Sequence, residues 1–394
     1  MDHTRNGLER KRRRAAAAVA LCCAVGGGVQ AQQDGATVSA RAWLAVMAGL
    51  PADAALPHER LSAAGLKAEA VPGGWVVRRG GGTPSMTLVA ALRPADCPAH
   101  STVDDRGGLQ ACGLRRGLAF AAAALAAVES QSGPALLLRT SAEAPPTPGG
   151  PAVFEGGFRD GPLAVVQTGC KTRVPVTLSV GGAAVPPGQP QQHSAVWRLS
   201  RAAQRVEEHR FPVRARGDLA GLLGVLGGTA HPAAATFRTW AAGQPAPAGD
   251  ELDADPRWAA VLRTTCQVEA VSPRTRGGAE ARLGCFASPA EQAQEVGWQL
   301  VDVVQDPVVV VERVVEHPPP ATSLSDGARR RLERALEAVP VAALLPCSPG
   351  QGAAFAAGTA MGVPVFGPGA ADRMDVGEFA AGVRRLRALV EPGR

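Results

Sequence analysis

Two hydrophobic periods divide this chain. Val174, Val176, Leu178 and Val180 alternate with Pro175, Thr177 and Ser179, the period of a strand with one buried face. Apolar runs bounded by turn residues predict further strands over 75–77, 86–92, 135–138, 164–167, 261–271, 279–287, 306–315 and 363–366. The valines at 308–311 are expected to lie in a buried strand. A helical period predicts helices over 41–47, 109–129, 194–209, 289–304, 325–339 and 375–389. In the third of these, Val196, Leu199, Ala203 and Val206 form the stripe and Ser194 stands at the N-cap; in the last, Phe379, Val383 and Leu386 share a face. The Gly133-Pro134 pair ends the Ala-rich helix.

From residue 173 onward the order is strand–helix–strand–strand–helix–strand, the split βαβ arrangement. Strands and helices mix on either side of it. The expected fold class is therefore α/β, with one α/β domain (32–172 and 318–394) interrupted by an inserted α+β domain at 173–317. No internal repeat is visible.

The first 31 residues stand apart. Lys11, Arg12, Arg13 and Arg14 precede an apolar run at 15–25, and Val29-Gln30-Ala31 supplies small residues for cleavage. That is the layout of a secretory signal, so the protein is expected to be secreted or otherwise extracytoplasmic. The run is too short to span a bilayer, and no membrane span is expected. Leu21 before Cys22 argues against a lipid anchor.

Composition adds constraints. Hydrophobic residues at 46% and charged residues at 19% suit a globular protein. Forty-one basic against 35 acidic residues give a net charge of +6, but the arginines are scattered and no aromatic RNA-binding word accompanies them. Nucleic acid is not an expected partner. After removal of the signal, Cys97, Cys112, Cys170, Cys266, Cys285 and Cys347 remain, with no CxxC pair to suggest a zinc ribbon. No G-x-S-x-G elbow accompanies His193 or His231, so a serine-hydrolase site is not indicated.

Several words, in order, resemble those of the carboxypeptidase S, aminoacylase and N-fatty-acyl-amino-acid hydrolase family. Val153-Phe154-Glu155-Gly156-Gly157 is similar to L-D-E-G-G, and Val166-Gln167-Thr168-Gly169 sits where the family writes V-x-E-K-G. Gly181-Gly182-Ala183-Ala184-Val185-Pro186-Pro187 resembles G-G-H-S-S-x-P. Arg263-Thr264-Thr265 matches R-T-T, and Asp372-Arg373 matches the E-R after the last ligand. The resemblance spans most of residues 86–390. It implies a two-zinc peptidase fold whose insert forms dimers.

The resemblance also implies a ligand set, and this chain lacks most of it. Ala91 and Arg93 replace the His and Asp of H-x-D. Asp104-Asp105-Arg106 matches D-D-K in one register; another places Cys112–Gly117 there, with no carboxylate, and both remain open. Ala142 stands where the general base belongs, while Glu143 keeps one ligand position. Phe154 replaces the Asp of L-D-E-G-G, Pro368 the last His, and Ala183 the His lent to a partner subunit. Phe355, or a neighbour, falls where a substrate-binding Arg is expected. Only Asp105 and Glu143 survive as candidates. Two close dications need several anionic or imidazole ligands and a base for their water. The expectation is a catalytically inactive, secreted binding or scaffold protein, without a cofactor and with an unknown ligand, able to form a homodimer through the insert. The competing reading is a zinc-dependent hydrolase of amide bonds in N-acyl amino acids or peptides.

One contact follows from spacing. If 261–271 and 279–287 form a hairpin centred between Thr275 and Arg276, Cys266 lies directly opposite Cys285. Opposed residues have Cβ atoms about 5 Å apart, within reach of a bridge. The pair is either a disulfide or two small buried residues.

Overall fold

The computed structural model describes residues 38–43, 58–71, 74–78, 87–91, 101–103, 108–111, 116–129, 136–139, 152–182, 194–245, 252, 255–274, 277–314, 321, 323–347, 351–352, 355, 360–367 and 373–390. The signal-like segment lies outside them. Among the described residues, no helix is long and apolar enough to cross a membrane.

The N-terminal part carries α1 (38–43) and α2 (His58–Ala63), followed by β1 (Lys67–Val71), β2 (Gly74–Arg78) and β3 (Thr87–Ala91). β4 (Ser101–Val103) and β5 (Gly108–Ala111) precede α3 (Arg116–Glu129), and β6 (Leu136–Arg139) follows it. Then come β7 (Ala152–Glu155), β8 (Phe158–Asp160) and β9 (Leu163–Cys170). The middle of the chain runs β10 (Arg173–Val180), α4 (Ala195–Glu208), α5 (Gly217–Gly227), α6 (Ala234–Ala241), α7 (Pro256–Leu262), β11 (Thr265–Pro273), β12 (Ala279–Phe286), α8 (Ala293–Val304) and β13 (Val310–Arg313). It closes with α9 (Asp326–Leu336), β14 (Val339–Leu345), β15 (Ala360–Val363), β16 (Arg373–Asp375) and α10 (Val376–Val390).

Nine strands form the main sheet, in the order β1-β2-β6-β3-β7-β15-β9-β14 with β8 on β9. β6, β3, β7 and β15 run parallel, as do β9 and β14. The two parallel blocks meet at one antiparallel pair, Gly362 opposite Gln167. Strand alternation splits the apolar side chains between faces. Val153, Ala164, Val166 and Val363 pack against α1, α2, α3, α9 and α10. Leu163, Val165, Val341, Ala343 and Leu345 point the other way, against α5, α6 and α7. The second sheet is antiparallel, β11-β12-β10-β13. It packs α4 and α8 over Val174, Val176, Leu178, Leu283 and Cys285. The architecture is thus an α/β domain with an inserted α+β domain. The helices α5–α7 lie within the inserted stretch of sequence, yet they cover the main sheet.

Local signals explain the helix starts. Ser194 Oγ accepts from the Trp197 N–H at 3.2 Å at the head of α4, and Ser325 Oγ accepts from the Ala328 N–H at 3.3 Å at the head of α9. Gln305 and Glu337, both at positive φ, end α8 and α9.

Five expectations need correction. The helix expected over 109–129 begins only at Arg116, and residues 108–111 form a strand that pairs with β4 and β16. The strand expected from 261 begins at Thr265, because Asp255 caps a helix with Pro256 in its first turn. The helix expected to reach 339 stops at Leu336. Its apolar continuation is a strand, β14, paired with β9 at the end of the sheet, whose residues are all apolar although their burial alternates from Val341 to Leu345. The strand expected at 363–366 is 360–363, since the amides of Val365 and Phe366 bond the Glu155 carboxylate instead of a neighbouring strand. The valine run at 308–311 is not buried throughout: β13 is an edge strand, with Val308 47% and Val310 52% exposed.

Candidate functional site

One word that resembles a metal-ligand word, Val153-Phe154-Glu155, lies on β7, beside β15 and near β9, where the two parallel blocks meet. Val153 faces the helices, so Phe154, one residue on, faces the opposite side. There it joins Ala152, Cys170, Ala360 and Phe355, with Val89 and Cys347 against them. Phe154 and Phe355 meet edge to face, with ring centroids 5.4 Å apart and planes at 81°. That is a favourable aromatic geometry. The Phe154 ring is so close that a Cβ on Gly362 would stand 2.8 Å from its edge and 3.0 Å from Gln167 Cβ. Phe154, which the resemblance matches to a ligand position, and Phe355, at or next to a matched substrate position, thus pack on each other.

The polar residues here serve the backbone. Glu155 accepts from the Val365 amide at 3.0 Å, and Gly156 N–H donates to the Val363 carbonyl at 3.1 Å. Gln167, buried at the junction, donates to Cys347 Sγ at 3.1 Å. Cys170 and Cys347 form a disulfide with Cα atoms 5.3 Å apart, cross-linking the ends of β9 and β14. The sequence reading missed this bridge. Its partners are 177 residues apart, and β14 was not among the expected strands.

The glycines of the family words have a geometric reason to be present. Gly157 has φ +76°, and a Cβ there would overlap the Val165 carbonyl oxygen. Gly182 lies against Gly277 so closely that any Cβ would strike the Gly277 carbonyl.

The remaining site positions divide in two. Ala91 ends β3, in register with Arg139 of β6. Arg93, Asp105, Ala142, Glu143, Ala183 and Pro368 lie outside the described residues. Among the described residues, no group of three or more His, Cys, Asp or Glu side chains stands close enough to hold a metal ion. Among the described residues, Phe154 packs with phenyl rings, methyl groups and a disulfide, with the Gln167 amide alongside, and that set does not fit a dinuclear zinc centre.

Elsewhere, Cys266 stands opposite Cys285 in the β11–β12 hairpin and the two are disulfide-bonded, with Cα atoms 4.1 Å apart. The register slips by one residue between Val268 and Ala270, beyond the cysteines, so the pairing near the turn differs from the simple hairpin. His231 bonds Asp160 Oδ2 at 3.2 Å through Nε2 and accepts from the Ala233 N–H at 3.1 Å through Nδ1. Trp258 Nε1 donates to the same carboxylate oxygen at 2.6 Å. This cluster pins α6 and α7 to the β8–β9 turn and holds no nucleophile.

No protein-family model and no curated protein matches the sequence. Solved structures do. Human carnosine dipeptidase 1 is similar with a TM-score of 0.57 at 11% identity, over 91% of this chain and 95% of its own. The di-peptidase Dug1p from Saccharomyces cerevisiae gives a TM-score of 0.55 at 10% identity, over 90% and 96%. The M20 family metallo-carboxypeptidase Sso-CP2 from Sulfolobus solfataricus gives 0.51 at 12% identity, over 90% and 98%. The chain therefore has the fold of M20 metallopeptidases, an α/β domain carrying an inserted antiparallel-sheet domain.

Proposed function

We propose that this protein is a catalytically inactive relative of zinc-dependent aminoacylases and carboxypeptidases, exported from the cell and acting as a binding or scaffold protein. The observation that carries the reading is the Phe154–Phe355 contact, an apolar plug built from two positions where the family resemblance implies a ligand and a substrate anchor. Phenyl rings supply neither a lone pair for a cation nor a base for its water. Ala91 at the end of β3 adds no donor. The M20-like fold and its insert leave the protein able to present surfaces, including the exposed edge of β13, to a second copy of itself.

Elemental analysis after metal-replete expression, together with hydrolysis assays on N-acyl amino acids and dipeptides, tests the reading. The expected result is zinc far below one ion per chain and hydrolysis at the level of a protein-free control. Zinc near about two ions per chain, with turnover that a chelator abolishes, replaces this reading with an active hydrolase.

A further inference from the structure

Among the described residues the chain passes between the main-sheet body and the antiparallel-sheet body at 171–172, 209–216 and 263–264, and it returns between β13 and α9. The first three passages meet in one buried polar cluster. Lys171, directly after β9 and its disulfide, sends its amine to the Arg263 carbonyl at 2.6 Å, joining the first passage to the third. Thr264 Oγ1 donates to Glu291 Oε2 and accepts from the Ser288 N–H at 2.9 Å. Glu291 lies in the loop between β12 and α8, with a fully buried side chain. It also accepts from Gln299 at 3.1 Å and meets Arg214 Nε, from the second passage, at 3.4 Å. Lys171, Arg263, Thr264, Ser288 and Glu291 are all buried.

The charges facing Lys171 are unevenly matched. Glu291 is the carboxylate that favours a proton on the amine, and it is already shared with Thr264, Gln299 and Arg214. Arg263 opposes that proton, and Arg210 lies near enough to act on Arg263 in turn. Glu295 sits one layer out, 3.6 Å from Arg214. Among the described residues the amine has one hydrogen-bond acceptor, the Arg263 carbonyl. One acceptor suits a neutral amine and leaves an ammonium short of partners.

We propose that Lys171, Arg263 and Glu291 form a proton-operated latch that holds the inserted domain against the main sheet. With Lys171 neutral, the amine bridges two passages without a buried net charge. Protonation adds a third cation beside Arg263 and Arg214, and the ammonium reaches full hydration only when the junction opens. Burial drives the Lys171 amine down to about 7, with Arg263 adding to the effect and Glu291 opposing it. The window follows from that direction. A solvated lysine binds its proton below about 10.4, so opening grows as pH falls from there towards 7, and levels off below.

Hydrogen exchange on the full chain, disulfides intact and rates normalised for intrinsic pH dependence, reads the latch directly. Amides at 169–174, 261–266 and 286–292 are expected to open about thirtyfold more often at about pH 6 than at about pH 8.5. Lys171→Met is expected to remove that difference. Equal protection at both values in the native chain overturns the proposal, as does a pH response that survives in Lys171→Met. Should that variant fail to fold, side-chain NMR of lysine-labelled native protein decides, since the sequence has only Lys11, Lys67 and Lys171. A Lys171 midpoint below about 9 supports the latch, and one at or above about 9 overturns it.

Discussion

Two buried centres of this protein lie within a few residues of each other along β9 and have opposite chemistry. At the Phe154–Phe355 plug, two rings pack with methyl groups and a disulfide. At the Lys171–Glu291 junction, ionisable side chains stay buried, with Glu291 bonded to Thr264, Gln299 and Arg214. The difference shows what a buried polar group requires. A ligand cluster without a full donor set is a collection of unpaired charges, and apolar packing is the cheaper occupant. A carboxylate that three elements converge on keeps its partners wherever the chain passages keep their course.

The largest effect should come from breaking the polar centre. Glu291→Ala strands the donors of Thr264, Gln299 and Arg214, and removal of one partner from such a buried network costs about 3–5 kcal/mol. Denaturant unfolding should show that loss; a change under about 1 kcal/mol would mean the junction is hydrated.

Phe154→Asp tests the apolar centre from the other side, by restoring the residue of the family word. The new carboxylate would face Phe355 and Ala152. A stability loss of about 3–5 kcal/mol is expected from the lost ring alone, with no gain in zinc by elemental analysis. A variant that gains zinc and keeps its stability would show that the plug is a single-residue lesion.

The disulfides give a graded comparison. Removing Cys170–Cys347 by a double serine substitution opens a separation of 177 residues, whereas Cys266–Cys285 closes 19. On loop-closure entropy the first should cost about 2 kcal/mol more than the second, read as the difference in unfolding free energy. Equal costs would mean that packing around the sulfurs, and not the unfolded chain, sets their worth.

The smallest effect is a slope. Lys171 has a depressed folded value, so the unfolded chain binds more protons between about 7 and about 10.4, and stability should rise with pH across that window. One proton corresponds to at most about 1.4 kcal/mol per pH unit, and Lys171→Met should flatten the curve.

Local pattern determined much of this protein. The alternation at Val174, Val176, Leu178 and Val180 marks β10, and the Ser194 cap with the buried Leu199, Ala203 and Val206 marks α4, although Val196, expected in the same stripe, is exposed; numerical symmetry about the hairpin puts Cys266 opposite Cys285. Each of these signals acts over a few residues or across one turn. Gly157 and Gly182 are present for shapes that only the fold reveals, close approaches to Val165 and Gly277. The stretch at 339–345 was illegible as a strand because its residues are all apolar, so the alternating burial of Val341, Ala343 and Leu345 against Ala342 and Leu344 leaves no polar trace in the sequence. Tertiary structure alone placed Phe154 on Phe355, joined Cys170 to Cys347 across 177 residues, and drew Lys171, Arg263, Arg214 and Glu291 into one junction. Those contacts depend on which strands lie side by side, and strand order is a property of the whole packed core that no local period encodes.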